Sequence, residues 1–194
     1  IFKDRFEMTP KEWKNGGYKE YSKKILLQSQ RASQSKANFE DMVPTIVKMP
    51  AIESYYIRNK GYNVNIKETW QKLQTWILTN DITSYKRIAL FHDNPTITPL
   101  NDCQYIGCVV VDDKKEVKSD RLPKFKIAEG VYAKFDLKGK TGDVLPFIHW
   151  VYHEWLPKSE YETTTKPSYA IYNKIDFLDE SNEFDLSFYV SINF

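Results

Sequence analysis

Seventeen residues of this chain occur twice in outline, and that constrains its fold more than any other feature. The stretch ALFHDNPTITPLNDCQY, beginning at Ala89, lies against AIYNKIDFLDESNEFDL, beginning at Ala170, with no gap and an offset of 170 − 89 = 81. Each copy opens with a small residue and two large apolar ones, then enters a polar turn. Gly61 and Gly139 fall after equivalent strand-like runs at an offset of 78, and Trp76 and Trp155 after equivalent helical stretches at 79. Near agreement of three offsets indicates an internal duplication.

The order within each copy is β-α-β-β. In the first, strand-like TIVKM and ESYYIRNKG lead into NVNIKETWQKLQTWILTND, whose Ile66, Trp70, Leu73, Trp76 and Ile77 recur at helical spacing; KRIALFHD and YIGCVVV then read as strands. The second copy repeats the order with FKIAEGVYAKFDLKG, DVLPFIHWVYHEWL, SYAIYN and FDLSFYVSI. One copy covers its apolar sheet face and helix stripe only partly, so two should pack about a pseudo-two-fold axis, with the seam between them as the natural cleft. Repeat one spans about 44–117 and repeat two about 118–194. Trp70, Trp76 and Trp155 are assigned to the core.

Residues 1–43 have a different texture. Thr9, Pro10 and Glu12 form a helix start, with an N-cap, proline at the first helical position and an acid in the first turn. NGGY at 15–18 interrupts, and 19–40, rich in Ser, Gln and Lys, reads as a short helix fading into a linker. Residues 1–40 carry nine Lys or Arg against five Asp or Glu, while the remainder has 19 against 21. Such a basic head fits either a nucleic-acid neighbour or a solvated lysine-rich helix. The chain opens on Ile1 and not Met, and the expectation is of a fragment of something longer.

Composition narrows the class. At 194 residues and 41% hydrophobic the chain can bury a substantial core, and 15% aromatics leave material for a pocket. No run is apolar enough to span a membrane and no signal segment leads the chain, so it reads as soluble and cytoplasmic. Cys103 and Cys108, five apart on a strand, point to opposite faces and read as free buried thiols. The three histidines have no metal-ligand spacing, and neither metal nor cofactor is expected.

VYHEWLPKSEYE, residues 151–162, sets Glu154 among Val151, Tyr152, Trp155 and Leu156. A helix from Asp143 to just before Pro157 would put Phe147, Trp150, Val151 and Glu154 on one continuous face, leaving the carboxylate hard to solvate. It can snorkel to water or pair with a basic residue; it can await a cationic ligand, with rings such as Trp150 completing a cage; or it can act as a general acid or base with a raised pKa.

VYHEWLPKSEYE, with GVYAKFDLKG before it and SYAIYN after it, resembles the gyrase-inhibitor-like, small-molecule-sensing domain of bacterial multidrug-responsive regulators. The resemblance runs from about Pro44 to Phe194; its most specific piece is Glu154 to Pro157 followed by Tyr161. IFKDRFEMTPKEWK is similar to the C-terminal end of an AraC-type helix-turn-helix domain. The resemblance implies an α+β fold, a duplicated β-α-β-β motif forming a curved antiparallel sheet or partial barrel with two main helices and short N-terminal ones. It divides the chain into a helix-turn-helix remnant (1–16), a helical and polar linker (17–43) and an effector-binding domain (44–194). It also implies a pocket at the repeat junction, with Glu154 meeting cationic, hydrophobic compounds. Trp150 and Phe147, which share the helical face of Glu154, Phe91 and Tyr172, which are equivalent in the two repeats, and Tyr55, on the strand before the first helix, complete the candidate ligand set.

The leading expectation is therefore the sensing domain of an AraC-type transcription regulator, binding a hydrophobic, aromatic effector that is cationic in the cage reading. Its DNA contact would run through the missing part of the N-terminal domain, with no membrane partner and the oligomeric state left open. The runner-up is a hydrolase of reactive hydrophobic compounds using Glu154 and a tyrosine; a third reading is a gyrase-inhibitor-like protein-binding module.

Overall fold

The computed structural model describes residues 1–62, 65–111, 117, 121–178 and 180–194. The expected start of repeat two, residue 118, lies outside the described residues. Four short helices come first: α1 (Phe2–Phe6), α2 (Pro10–Glu12), α3 (Tyr18–Leu26) and α4 (Gln30–Ser33). Repeat one supplies β1 (Thr45–Met49), β2 (Ile52–Lys60), α5 (Ile66–Thr79), β3 (Tyr85–Phe91) and β4 (Gln104–Val111). Repeat two supplies β5 (Lys124–Ile127), β6 (Gly130–Lys140), α6 (Val144–Trp150), a π-helical turn (Val151–Trp155), α7 (Leu156–Lys158), β7 (Glu162–Thr163), β8 (Ser168–Lys174) and β9 (Glu183–Asn193).

The strands form one antiparallel sheet in the order β1-β6-β9-β8-β3-β4-β2-β5, with the short β7 on β9. Its centre is the β3–β8 pair, where Ala89 faces Ala170 and Ile88 faces Ile171. The two alanines that align in sequence are thus cross-strand partners, and the pseudo-two-fold axis passes between them. Outward from that joint come β4, β2, β5 on one side and β9, β6, β1 on the other. Each repeat therefore lends its first strand to the far edge of the other.

Register accounts for the unequal offsets. Tyr55 pairs with Val109 in repeat one and Ala133 with Val190 in repeat two, so the outer strand is displaced by 133 − 55 = 78 and the inner by 190 − 109 = 81. The extra residues enter between them, and the π turn accommodates one: its hydrogen bonds reach five residues back instead of four. Trp76 rests on β2 through Tyr55 at 4.8 Å between ring centroids, and Trp155 on β6 through Phe135 at 5.0 Å.

Helices α5 and α6 cover one face of the sheet. Trp70, Leu73, Ile77, Phe147, Ile148 and Val151 are all at most 2% exposed there. The opposite face buries Ile88, Ile106, Cys108, Tyr132 and Tyr169 without a helix over them, because the strongly curled sheet folds around its own side chains. Cys103 belongs to the first cluster and Cys108 to the second, both free and buried; burial pushes each thiol up to about 12.

The N-terminal segment is more ordered than its polar composition implies. Thr9 and Glu12 close a reciprocal capping box, and Gly16, at φ 105°, makes the break between α2 and α3. Beyond α3 the segment lies against the domain: Gln28 Oε1 accepts from the Leu100 amide at 3.0 Å, Ser35 Oγ donates to Asp143 Oδ1 at 2.6 Å, and Phe39 meets Phe147 edge-on at 5.4 Å. Among the described residues no helix is long and apolar enough to cross a membrane.

Candidate functional site

A cavity of about 920 Å³ opens at the seam, between the first turns of α5 and α6. Phe91, Tyr105 and Tyr172, from three neighbouring strands, form its floor with Tyr62. These rings meet edge to face: Tyr62 with Phe91 at 5.7 Å, Tyr62 with Tyr105 at 5.8 Å, and Phe91 with Tyr105 at 5.9 Å. Trp70 on α5 braces them, donating its indole N–H to the Tyr105 hydroxyl at 2.9 Å and lying 6.0 Å from the Tyr172 ring. Such a locked floor is apolar in its faces and polar only at fixed hydroxyls.

One acid lies within this wall. Asp176 begins the 3₁₀ turn Asp176–Leu178 after β8 and is 5% exposed. Its Oδ2 accepts from the Thr141 hydroxyl at 2.7 Å, whereas Oδ1 has no hydrogen-bond partner among the described residues. Burial raises its pKa; the Thr141 hydroxyl, the amides of Asp176 and Phe177, and finally the positive charge of Arg31 oppose that rise. The hydroxyl of Tyr172 is likewise driven upward by burial and by the neighbouring Asp176 charge. Arg31, Lys67 and Glu180 also line the cavity.

The expected ligand set divides. Phe91 and Tyr172 reach the cavity together, as their equivalence under the repeat requires. Phe147, fully buried, and Trp150, partly buried, pack into the core beneath α6, at 5.6 and 6.0 Å from Phe135. Tyr55 lies against Trp76, with the Lys124 ammonium 5.3 Å from its ring centroid. None of these three lines the cavity.

Glu154 departs most from expectation. Its side chain is 41% exposed, not buried, and it has counter-ions: Lys19 Nζ at 2.7 Å and Lys158 Nζ at 3.3 Å. The hydrogen bond from Lys19 is the main reason its carboxyl sits below the usual value, with Lys158 adding to it. The physical cause is the π turn. A regular helix would hold Glu154 on the Phe147–Val151 face, but the altered hydrogen bonding from Val151 to Trp155 turns the carboxylate outward, toward α3. Nor does the helix stop before Pro157, which sits in its closing turn, Leu156–Lys158.

Asp176 shows the signal that singled out Glu154, an acid amid apolar neighbours, here Ile175, Phe177 and Leu178. Its position in a presumed connecting turn concealed it. A further polar group joins α3 to α6: Ser22 Oγ lies 2.7 Å from His149 Nδ1 and 2.8 Å from His153 Nε2. Burial depresses both imidazoles to about 4, with mutual repulsion adding at His149 and Lys19 adding at His153. No three His, Cys, Asp or Glu side chains among the described residues are grouped to hold a metal ion.

A duplicated α+β half-barrel with an aromatic cavity at its seam defines a class of small-molecule-binding domains. The GyrI-like small molecule binding domain family matches residues 42–192, and the chain belongs to it. A DNA gyrase inhibitor of Citrobacter koseri is 22% identical over 129 residues, which cover 66% of this chain and 82% of the relative. Among solved structures, EcmrR in its complex with DNA superposes with a TM-score of 0.62 at 14% identity, covering 94% of this chain and 68% of that one. SAV2435 bound to tetraphenylphosphonium gives 0.52 at 11% identity, covering 77% and 93%. A hydrolase from Listeria innocua gives 0.53 at 12%, covering 78% and 92%. At these identities the structural likenesses speak for the fold.

Proposed function

We propose that this chain is the effector-sensing part of an AraC-type transcription regulator, and that its seam cavity binds hydrophobic aromatic cations. The observation that carries the ligand class is Asp176, a buried carboxylate with one oxygen unpartnered, set beside aromatic rings in a space large enough for a multi-ring compound. Among the described residues no cation forms an ion pair with this carboxylate, so a cation entering there would supply one, while the rings supply apolar contact and attraction to positive charge. The family membership, and the DNA complex and bound phosphonium among proteins of this fold, support the reading. The capping box at Thr9 and the basic head support a DNA-side neighbour preceding the domain.

Binding is favoured over catalysis because Asp176, the buried acid among the described lining residues, is fixed by Thr141 and the floor hydroxyls are pushed upward in pKa, away from general-base duty. The test is calorimetric titration with tetraphenylphosphonium and with neutral triphenylphosphine oxide, on the wild type and on Asp176→Asn. Loss of a buried charge partner should weaken the phosphonium by about 2 kcal/mol or more and leave the neutral compound nearly unchanged. Equal losses for both, or slow conversion of either, would overturn the assignment.

A further inference from the structure

Asp176 brings two oxygens to the cavity wall, and the fold provides a donor for one. The Thr141 hydroxyl donates to Oδ2 at 2.7 Å. No N–H or O–H group among the described residues donates to Oδ1, although the residue is buried. Other donors of the cavity lining are committed elsewhere. The Tyr62 hydroxyl donates to the Asp93 carbonyl at 3.0 Å, and the Asn182 side-chain amide to the Glu180 carbonyl at 3.3 Å. The indole N–H of Trp70, behind the floor, is given to the Tyr105 hydroxyl. Arg31 lines the same cavity without donating to Oδ1. An ionised carboxylate only accepts, so a guest completes this one by bringing a hydrogen.

We propose that the cavity selects aromatic cations that carry an N–H on the charged centre, such as protonated amines and amidines, over quaternary cations of the same frame. This rests on the ligand class proposed above. A quaternary ammonium or phosphonium centre is wrapped in carbon: it leaves Oδ1 without a hydrogen bond and holds its charge farther from the carboxylate, where attraction is weaker. A protonated amine supplies charge and donor in one contact, of about 2.7–2.9 Å for a charge-assisted bond. In a wall closed to water, the cost of the unbonded oxygen falls on the guest that lacks the donor. A site built around a donor therefore rejects the analogue without it more strongly than an apolar pocket rejects a change of size. The rings of Tyr62, Phe91, Tyr105 and Tyr172 offer both guests the same apolar contact, so discrimination falls to Asp176.

Calorimetric titration of the full chain at neutral pH tests this with 4-phenylbenzylamine and its N-methyl, N,N-dimethyl and N,N,N-trimethyl derivatives, all singly charged there, and with neutral 4-phenylbenzyl alcohol. The first three retain an N–H and should bind within about threefold of one another, whereas the last methyl should weaken binding roughly tenfold or more. A loss caused by bulk would instead be spread over all three methylations. In Asp176→Asn the step should disappear, because the amide turns an N–H toward the guest; the wild-type series is decisive even if that variant fails to fold. Equal affinity for the dimethyl and trimethyl heads in the wild type, or a step that persists in Asp176→Asn, sinks the donor requirement and leaves the cation site standing. An alcohol that binds as tightly as the charged compounds, or no binding by any of them, overturns the cation reading as well.

Discussion

Asp176→Asn should make the ligand-free protein more stable at neutral pH, although the residue is buried and hydrogen-bonded. The substitution keeps an oxygen for the Thr141 hydroxyl, whose bond to Oδ2 is 2.7 Å, and removes a charge that the fold compensates only in part. A buried polar atom left without a partner costs about 1–3 kcal/mol and more when it is charged, so the amide, whose N–H groups are also unpartnered, relieves only the excess that the charge adds. The lower end applies, because Thr141, two backbone amides and Arg31 all favour the ionised form. A gain of about 1 kcal/mol corresponds to a Tm rise of roughly 2–4 °C for a domain of this size. The pH dependence identifies the cause. The folded-state pKa of Asp176 is raised, so its destabilising charge is absent below the unfolded carboxylate value of about 3.9 and develops as pH rises through the folded one. The difference between variant and wild type should therefore vanish near pH 4 and reach its full size by neutrality. Differential scanning calorimetry between pH 4 and 8 decides it. A variant less stable than wild type at pH 7.5, or a gain that ignores pH, would show that the charge is not strained, and the reason for expecting a cationic guest would go with it.

Glu154→Gln, which removes a half-exposed ion pair, should cost no more than about 1 kcal/mol and leave phosphonium affinity nearly unchanged, checked by denaturant melts and titration. His149 and His153 have depressed folded pKa values near 4, so the stability that their neutral forms support is complete above about 6.5 and is lost as pH falls toward 4; tryptophan and tyrosine fluorescence of the N-terminal segment should report undocking of α3 across that window, and Ser22→Ala should reduce stability by about 1 kcal/mol at pH 7. Gly107→Val should destabilise by about 1–3 kcal/mol, because even a Cβ at Gly107 meets Leu73 at 2.9 Å and Thr69 at 3.2 Å where α5 presses on β4; thermal unfolding measures it.

Much of the architecture was legible because duplication leaves two records of one structure. The match of Ala89 to Ala170 indicated two copies about a pseudo-two-fold axis, and the structure makes these residues cross-strand partners; the small differences among the offsets did not disclose the π turn, and the second helix was expected to be regular. Cysteine alternation indicated that the two thiols lie on opposite faces, and the structure puts them in separate clusters. The candidate site was less legible. A π turn follows from no residue type, yet it decides whether Glu154 faces core or solvent. The docking of residues 28–39 rests on scattered polar contacts, Gln28 with Leu100 and Ser35 with Asp143, which a composition typical of linkers does not reveal. Asp176 combines both difficulties: its burial comes from tertiary neighbours, while its local context reads as a turn.

The exchange of outer strands limits how such a molecule can open. Because β1 completes the far side of repeat two and β5 that of repeat one, the halves are stitched at both margins as well as at the middle. They cannot swing apart like the lobes of a clamp without tearing sheet hydrogen bonds. A guest larger than the existing cavity would need helices to glide across an unbroken floor, or residues 28–31 to move off its opening.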